Sequence, residues 1–173
     1  MKLSNSYIGL PEEFYQQINP TPVENPSLLQ FNDELAELLK ISLEEQEKLD
    51  IFSGNKIPSD SIPIALNYSG HQFGNFVHEL GDGRAVLLGE INNQNGNYDI
   101  QLKGSGLTKF SRQGDGRSAL GPVIREYIVS EAMHYLDVPT SRALAAVATG
   151  EYVARDNFEP GGILTRVAKS HLR

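Results

Sequence analysis

The sequence predicts an α+β fold in which an antiparallel β-meander packs against one long helix. Helical periodicity comes first, then short segments rich in β-forming residues, then a long amphipathic helix, and then further apolar strands. Helices and strands that are grouped along a chain, instead of alternating, are typical of α+β domains. Helices are predicted at about residues 27–39, 43–52 and 122–136, and strands at about 76–80, 84–91, 98–103, 143–149, 152–154 and 163–168.

The composition argues against several classes of protein. The 173 residues suffice for one domain with a real core, or for one lobe of a larger fold. Without a cysteine the chain forms neither a disulfide framework nor a thiolate metal site, and the four histidines lack ligand spacing. The formal net charge of −7 argues against a nucleic-acid-binding surface. No apolar run is long enough for a membrane span and no targeting peptide is evident, so a cytoplasmic location is expected.

The N-terminal part is predicted to be an arm followed by two helices. Four prolines within the first 26 residues keep the arm irregular, apart from one short helical turn at 11–17. From residue 27 onward the leucines recur at helical spacing, which predicts an amphipathic helix of about three turns. Ser42 followed by Glu45 has the pattern of a capping box and predicts the start of the second helix, which a Gly-Asn pair at 54–55 ends.

The second part is predicted to hold the meander and its helix. An Asn-Gly pair at 95–96 favours a primed hairpin turn, and a Gly-Asp-Gly sequence at 81–83 makes the other turn of the meander. Pro122 suits the first turn of the long helix, and an apolar stripe along that helix is predicted to be buried. The stripe consists of Ile124, Ile128, Ala132 and Tyr135. A polar turn at 155–162 is predicted before the last strand.

One stretch, residues 70–117, has features of a phosphate-binding site. It contains two Gly-Asp-Gly-Arg tetrads, and glycine lets another group approach the backbone closely. The stretch alone fits a phosphate cradle and a meander of tight turns equally well. Lys103 at a strand end and Glu126 on the following helix add a second element, because a strand lysine oriented by a helix glutamate holds nucleotide phosphates in protein kinases. The usual kinase sequence patterns are absent from the chain.

Longer segments of the sequence closely resemble the selenoprotein O family. These segments are NSY (5–7), PTPV (20–23), GHQFG (70–74), ELGDGRAVLLGE (79–90), QLKGSG (101–106), GDGRSALGPVIREYIVSEAMHYLDVPTSRAL (114–144) and GGILTRVAKSHLR (161–173). They follow the family order and cover nearly the whole chain. The resemblance implies a protein-kinase-like fold, with residues 58–173 as its small lobe and residues 1–57 as an N-terminal arm with two helices. It also implies binding of ATP in a flipped orientation, with Mg²⁺ or Mn²⁺, and transfer of AMP to hydroxyl groups of protein substrates.

The resemblance also assigns roles to individual residues. The nucleotide-contacting residues would be Gly81, Gly83, Arg84, Lys103, Asp115, Gly116, Arg166 and Arg173. Lys103 and Glu126 would be the catalytic ion pair, in which the carboxylate orients the ammonium group. Asp82 is interpreted as a turn aspartate instead. Three further arginines, Arg117, Arg125 and Arg142, are interpreted as ordinary salt-bridge partners.

The general base and metal ligands of the family fall beyond residue 173. This chain is therefore expected to hold half of an ATP site and no metal ligand, to bind nucleotide weakly and to transfer nothing. Its partner would be the large lobe of the same fold, and weak self-association through an exposed apolar face is a further expectation. Two other functions stay open, namely a catalytically inactive nucleotide-binding or interaction domain and a protein-kinase-type phosphotransferase.

Overall fold

An eight-stranded antiparallel sheet forms the centre of the structure, a computed structural model that describes residues 1–172. The strands of the chain are β1 Tyr15–Gln17, β2 Ser27–Phe31, β3 Ile64–Leu66, β4 Gly70–Gln72, β5 Asn75–Val77, β6 Ala85–Asn93, β7 Gly96–Lys103, β8 Ser118–Ala119, β9 Arg142–Ala154 and β10 Phe158–Ala168. The main sheet has the order β1-β3-β6-β7-β10-β9-β2, and β8 pairs with β10 beside this path. Strands β4 and β5 form a separate hairpin.

Three α-helices within residues 1–172 accompany the sheet, namely α1 Asp33–Leu39, α2 Glu45–Phe52 and α3 Leu120–Tyr135. Two short 3-10 turns, Ser6–Gly9 and Glu12–Phe14, precede β1. The combination of an antiparallel sheet with grouped helices agrees with the predicted α+β class. None of the helices in the described part of the chain is long and apolar enough to cross a membrane.

The sheet lies between two helical layers. On one face α1 and α2 pack against the main core, which includes Leu39, Phe52, Ile100, Leu102, Leu144 and Ile163. On the opposite face α3 packs over β9 and β10, where Val123 meets Ala143, Ala146 and Leu164 in a smaller cluster. The two faces of the sheet therefore differ in the size of their apolar cores, and the larger core lies on the side away from α3.

Alternation along the strands decides which side chains reach the α3 face. Ile100 and Leu102 belong to the main core, so Gln101 and Lys103, which alternate with them on β7, lie on the opposite face. Arg166 on β10 pairs in register with Gln101 and lies on this same face. The α3 face thus carries charged and polar side chains where β7 and β10 adjoin.

The prediction of a helix at 27–39 is wrong for the first half of that range. This part of the chain forms β2, which pairs with β9 at the edge of the sheet, and only the second half is helical. A register irregularity just after Leu28 lets both Leu28 and Phe31 reach the main core, so the strand imitates helical spacing. The missed signal is Asn32, whose side chain accepts a hydrogen bond from the backbone N–H of Leu35 at 2.9 Å and caps α1.

The start of α2 also differs from its prediction. Glu44 is the N-cap and no side chain caps the helix, so the capping box predicted from Ser42 and Glu45 is wrong. Leu43 packs against the main core just ahead of the helix. The end of α2 agrees with the predicted helix, which finishes at the same residue.

Two of the three strands predicted for the meander are present in the main sheet. β6 and β7 form the predicted hairpin, whereas the segment predicted as a strand at 76–80 contributes only its beginning to β5, outside the main sheet. The two-residue turn of the β6–β7 hairpin lies one residue earlier than predicted, because Asn93 pairs with Gly96. The side chain of Asn93 accepts a hydrogen bond from the backbone N–H of Asn95 at 2.7 Å, which fixes this turn.

The last two strands are longer than predicted. The segments predicted as separate strands at 143–149 and 152–154 form one continuous strand, β9. The predicted turn at 155–162 shrinks to three residues, since β10 begins at Phe158. Single-sequence patterns place strand ends poorly here, because the β9–β10 pairing, with its two register irregularities, extends the strands through polar positions.

The apolar stripe of α3 is exposed, so its predicted burial is wrong. Ile124, Ile128 and Tyr135 expose 40%, 60% and 64% of their surface, and Ala132 is exposed as well. The face of α3 that meets the sheet carries the buried residues Val123, Ser130 and Glu131 instead. The self-association expected from an exposed apolar face stays a prediction.

Asp99 joins the N-terminal arm to the segment after β10. Its fully buried carboxylate accepts hydrogen bonds from the Tyr7 hydroxyl at 2.8 Å and from the backbone N–H of His171 at 2.7 Å. Burial, together with the Asp99 carboxylate, raises the pKa of Tyr7 to about 12. The NSY segment and the segment that follows β10, both part of the family resemblance, therefore meet at one buried carboxylate.

Candidate active site

A cleft of about 700 Å³ opens between the start of β6, the end of β7 and the loop before β8. Its lining includes seven of the residues to which the resemblance assigned nucleotide contacts, namely Gly81, Gly83, Arg84, Lys103, Asp115, Gly116 and Arg166. The eighth, Arg173, lies outside the described residues. The volume falls within the range of small-molecule sites, which is about 300–1,000 Å³.

Glu126 holds two cations at the inner end of the cleft. Its Oε2 accepts a hydrogen bond from Nζ of Lys103, and its Oε1 lies 3.5 Å from Nη1 of Arg166. Burial lowers the pKa of Lys103, the neighbouring Arg166 charge lowers it further, and Glu126 opposes both effects. One carboxylate thus serves two cations, so this part of the cleft keeps a net positive charge.

Basic side chains outnumber acidic ones in the lining of the cleft. Six of the lining residues are cationic, namely Arg84, Lys103, Arg112, Arg117, Arg155 and Arg166, whereas Asp82 and Asp115 are the two acidic ones. The chain as a whole has a formal net charge of −7. An acidic protein that places six basic groups around one cleft focuses a positive potential there, which attracts anionic ligands. Arg84 is exposed, and its side chain forms no hydrogen bond or ion pair with another described residue.

The glycine turn at 81–83 packs against Phe110 of the loop before β8. Gly81 has φ of +58°, and a Cβ there would lie 2.3 Å from the Phe110 ring. A Cβ on Gly83 would lie 2.7 Å from the carbonyl oxygen of Phe110. The space beside both glycines is therefore filled by the protein itself, and the glycines let the turn and the loop approach each other.

We expect Gly81→Ala to destabilise the fold by about 2 kcal/mol and to weaken anion binding in the cleft. The reason is the left-handed backbone, which costs a residue with a Cβ about 1–2 kcal/mol, together with displacement of Phe110. Chemical denaturation followed by circular dichroism measures the change. Gly121→Ala is the control, because this glycine of α3 has nothing within 4 Å of a built Cβ and the change should be neutral or slightly stabilising. Equal stability of the two variants would contradict this account.

Asp115 forms a two-point ion pair with Arg155 at the outer end of the cleft. The two distances are 2.7 Å and 3.2 Å, and Asp115 also accepts a hydrogen bond from the backbone N–H of Arg117 at 2.9 Å. The Arg155 guanidinium holds the pKa of Asp115 below its usual range. Arg117 itself pairs with Glu151 at 3.3 Å, which agrees with its interpretation as a salt-bridge partner although it also lines the cleft.

A hairpin forms part of the rim of the cleft. Gln72 of the β4–β5 hairpin lines the cleft and accepts a hydrogen bond from Nη1 of Arg112 at 2.7 Å. The neighbouring His71 packs against the ring of Phe76, which is consistent with a structural role for this histidine. Phe73 at the hairpin tip has φ of +53° and is almost fully exposed. The hairpin and the loop before β8 thus touch across the mouth of the cleft.

The carboxylates of the cleft do not fit a divalent metal site. Glu126 already holds two cations, Asp115 holds an arginine, and Asp82 accepts hydrogen bonds from a phenol and an amide. No group of three or more histidine, aspartate or glutamate side chains within residues 1–172 is placed to hold a metal ion. Mg²⁺ prefers free carboxylate oxygens with room for water, and these carboxylates are committed to other partners.

Comparison with known families identifies the family of the chain. A family profile described as "Protein adenylyltransferase SelO" matches residues 1–173, which is the full length of the chain. The chain belongs to the SelO family. The family resemblance inferred from the quoted segments is therefore confirmed.

Curated SelO relatives carry a matching name. A protein nucleotidyltransferase YdiU of Nitrobacter hamburgensis is 59% identical over 177 residues, which cover 100% of this chain and 35% of that protein. The protein of the same name from Alkalilimnicola ehrlichii is 58% identical over 98% of this chain and 35% of its own length. The one from Maridesulfovibrio salexigens is also 58% identical, over 100% of this chain and 36% of its own length. The chain thus spans about a third of the length of the curated relatives it matches.

Two buried residues beside the cleft make contacts that could not be read from the sequence. Asp82, interpreted as a turn aspartate, is buried and accepts hydrogen bonds from Tyr68 Oη and Gln101 Nε2, each at 2.9 Å. Gln101 was assigned no role, yet it lies on β7 two residues before Lys103. The available signal was a polar residue at an alternating strand position, on the same face as the lysine.

Proposed function

We propose that this SelO protein is an ATP-dependent protein adenylyltransferase and that the 173-residue chain is its nucleotide-binding part. The observation that carries the proposal is the convergence of six basic side chains on one cleft of an acidic chain. A nucleoside triphosphate is a compact polyanion that such a cleft suits. The family name supports the adenylyl group as the one transferred.

The cations of the cleft would divide the work of binding the phosphates. Glu126 restrains the flexible side chain of Lys103, so that its ammonium group would meet phosphate oxygens without a large loss of entropy. The buried Arg166 would offer a planar guanidinium beside it. Arg84, whose exposed side chain has no partner among the described residues, would bind at the open side of the cleft. The glycine turn at 81–83 would set the position of Arg84.

Transfer of AMP to hydroxyl groups of protein substrates is the part of the proposal that extends beyond this chain. The chain spans about a third of its curated relatives, and the carboxylates at its cleft are engaged, so no general base is assigned within it. In this proposal the base, the ligands of the Mg²⁺ or Mn²⁺ ion and the large lobe belong to the remaining length of the relatives. The 173-residue chain would bind ATP weakly and transfer nothing.

Calorimetric titration of the chain with ATP, ADP and AMP tests the binding. We expect the affinity to fall in that order, because each phosphate removed takes away contacts to the basic cluster, and to weaken as salt is added. Chelation of Mg²⁺ should leave the ATP affinity unchanged or increase it, since the cleft offers no free carboxylate to the metal. Equal affinities for the three nucleotides, or no binding of ATP, would contradict the proposal.

Isotope labelling of the longer protein tests the chemistry. ATP labelled at the α-phosphate should leave label on a protein acceptor, and ATP labelled at the γ-phosphate should leave none. Label from the γ-phosphate would show a kinase-type phosphotransferase instead, and label from neither would favour an inactive nucleotide-binding domain. Measurable AMP incorporation by residues 1–173 alone would refute the division of the site between two parts of the protein.

A further inference from the structure

The side-chain amide of Gln101 joins the glycine turn to the cations of the cleft. Its Nε2 donates a hydrogen bond to Oδ2 of Asp82 at 2.9 Å, and its Oε1 accepts one from Nη2 of Arg166. Gln101, Asp82 and Arg166 expose only 1%, 5% and 8% of their surface. Because water reaches these groups poorly, loss of either contact would leave buried polar atoms to be satisfied by rearrangement.

An amide is the side-chain group that suits the position between Asp82 and Arg166. An ionised carboxylate only accepts hydrogen bonds and a guanidinium only donates them, so the group between them must donate on one side and accept on the other. A glutamate at 101 would repel Asp82, and a lysine would repel Arg166. The chemistry of the two neighbours also fixes which end of the Gln101 amide faces each of them.

The contacts of Asp82 and Arg166 extend this link in both directions. Asp82 lies within the glycine turn, and its carbonyl oxygen accepts a hydrogen bond from Oγ1 of Thr108 at 2.7 Å, which ties the turn to the loop before β8. Arg166 lies 3.5 Å from Glu126, which in turn holds Lys103. A continuous chain of contacts therefore runs from the turn through Gln101 to both cations.

We propose that Gln101 is a positioning residue of the nucleotide site, which sets the Arg166 guanidinium relative to the glycine turn. The inference rests on the proposed nucleotide-binding function and deepens it. Gln101 itself would not touch the phosphates. It acts through Arg166, so its contribution to ATP binding exists only while that arginine is present. A residue that merely stabilises the fold has no such dependence.

A double-mutant cycle on ATP affinity tests this role. Gln101→Met keeps the length of the side chain and removes the amide, and we expect it to weaken ATP binding about tenfold in calorimetric titration. In an Arg166→Met background the same change should alter the affinity less than about twofold. Gln46→Met is the matched control, because Gln46 also donates to an aspartate, at 2.8 Å, but on the exposed surface of α2. This control should bind ATP as the unmodified chain does.

The possible outcomes separate this inference from the proposed function. Additive effects of Gln101→Met and Arg166→Met on the ATP affinity would overturn the role of Gln101. An unchanged affinity of Gln101→Met would do the same, provided that Lys103→Met does weaken binding. Neither outcome would contradict the proposed function. If the unmodified chain does not bind ATP, the proposed function fails and this inference fails with it. If Gln101→Met does not fold, Gln101→Asn takes its place, since it retains the amide one methylene shorter. That variant should fold and bind with intermediate affinity, and affinity equal to that of the unmodified chain overturns the inference.

Discussion

Lys103→Met is expected to weaken ATP binding by the 173-residue chain about 50-fold, with little change in stability. A charge-assisted hydrogen bond contributes about 1.5–3 kcal/mol, and each 1.4 kcal/mol changes an affinity tenfold. The fold should tolerate the change because Glu126 keeps Arg166 at 3.5 Å as its counter-ion. Burial already lowers the pKa of Lys103, so an apolar side chain of similar length removes a desolvation cost. Calorimetric titration with ATP and thermal unfolding measure the two quantities.

The control for this prediction is Lys56→Met. Lys56 also pairs with a glutamate, Glu47, at 2.8 Å, but on an exposed surface away from the cleft. Its replacement removes the same charge from the chain and should leave the ATP affinity within about twofold, since exposed charges more than about 10 Å from a ligand are largely screened at 0.1 M salt. Equal losses of affinity in the two variants would show that net charge, and not the placement of Lys103, determines binding.

The parts of the fold that could be predicted are those whose signals are local. The helix that became α3 ends at the predicted place, and the hairpin of β6 and β7 follows from a turn whose residues are adjacent in sequence. The strand β2 could not be predicted in this way, because Leu28 and Phe31 have the sequence spacing of a helix and reach the same core only through a register irregularity. Its partner β9 lies more than a hundred residues away in the sequence, and no pattern within β2 predicts this pairing.

The apolar stripe of α3 shows a different limit of sequence patterns. Ile124 and Ile128 recur at helical spacing, and the spacing correctly indicates that they share a face. The face of the helix that meets the sheet instead carries Val123 and Glu131, of which the latter pairs with Arg142. Periodicity alone reports an apolar face without reporting what covers it.

The contacts of the candidate site could be predicted only where a known pairing of residue types or the family resemblance brought two positions together. Lys103 and Glu126 were placed together on the logic of a strand lysine and a helix glutamate, and the structure has them in an ion pair. Gln101 and Asp82 are 19 residues apart, and the register of β6 against β7 brings them together. No turn or helix period links two such positions, so their contact appears only once the sheet is formed.

Glu131→Ala is expected to destabilise the chain by about 3–5 kcal/mol, the cost of leaving a buried charge without its partner. Glu131 is 9% exposed, and its carboxylate accepts hydrogen bonds from the Arg142 guanidinium at 2.7 Å and 2.9 Å. It also accepts one from the backbone N–H of Ala143 at 2.8 Å and one from the side-chain amide of Asn32 at 2.7 Å. Asn32 is also the N-cap of α1, so this one carboxylate connects α3, β9 and α1. Urea denaturation measures the loss. Glu159→Ala, at a half-buried position on β10 with no ion pair to another described residue, should cost far less.

The pH dependence of stability distinguishes the charge of Glu131 from its packing. Burial alone would raise the pKa of Glu131, but the hydrogen bonds from Arg142 and Ala143 and the Arg142 charge outweigh it and hold the pKa below its ordinary value of 4.5. A carboxylate with a lowered folded-state pKa stabilises the protein above its unfolded-state pKa, and this stability is lost as the pH falls through the folded-state value. The difference in unfolding free energy between the unmodified chain and Glu131→Gln should therefore be constant near neutral pH and shrink below about pH 4.5. A difference that stays constant down to pH 3 would assign the effect to packing, and the link between α3 and β9 would then not depend on the charge.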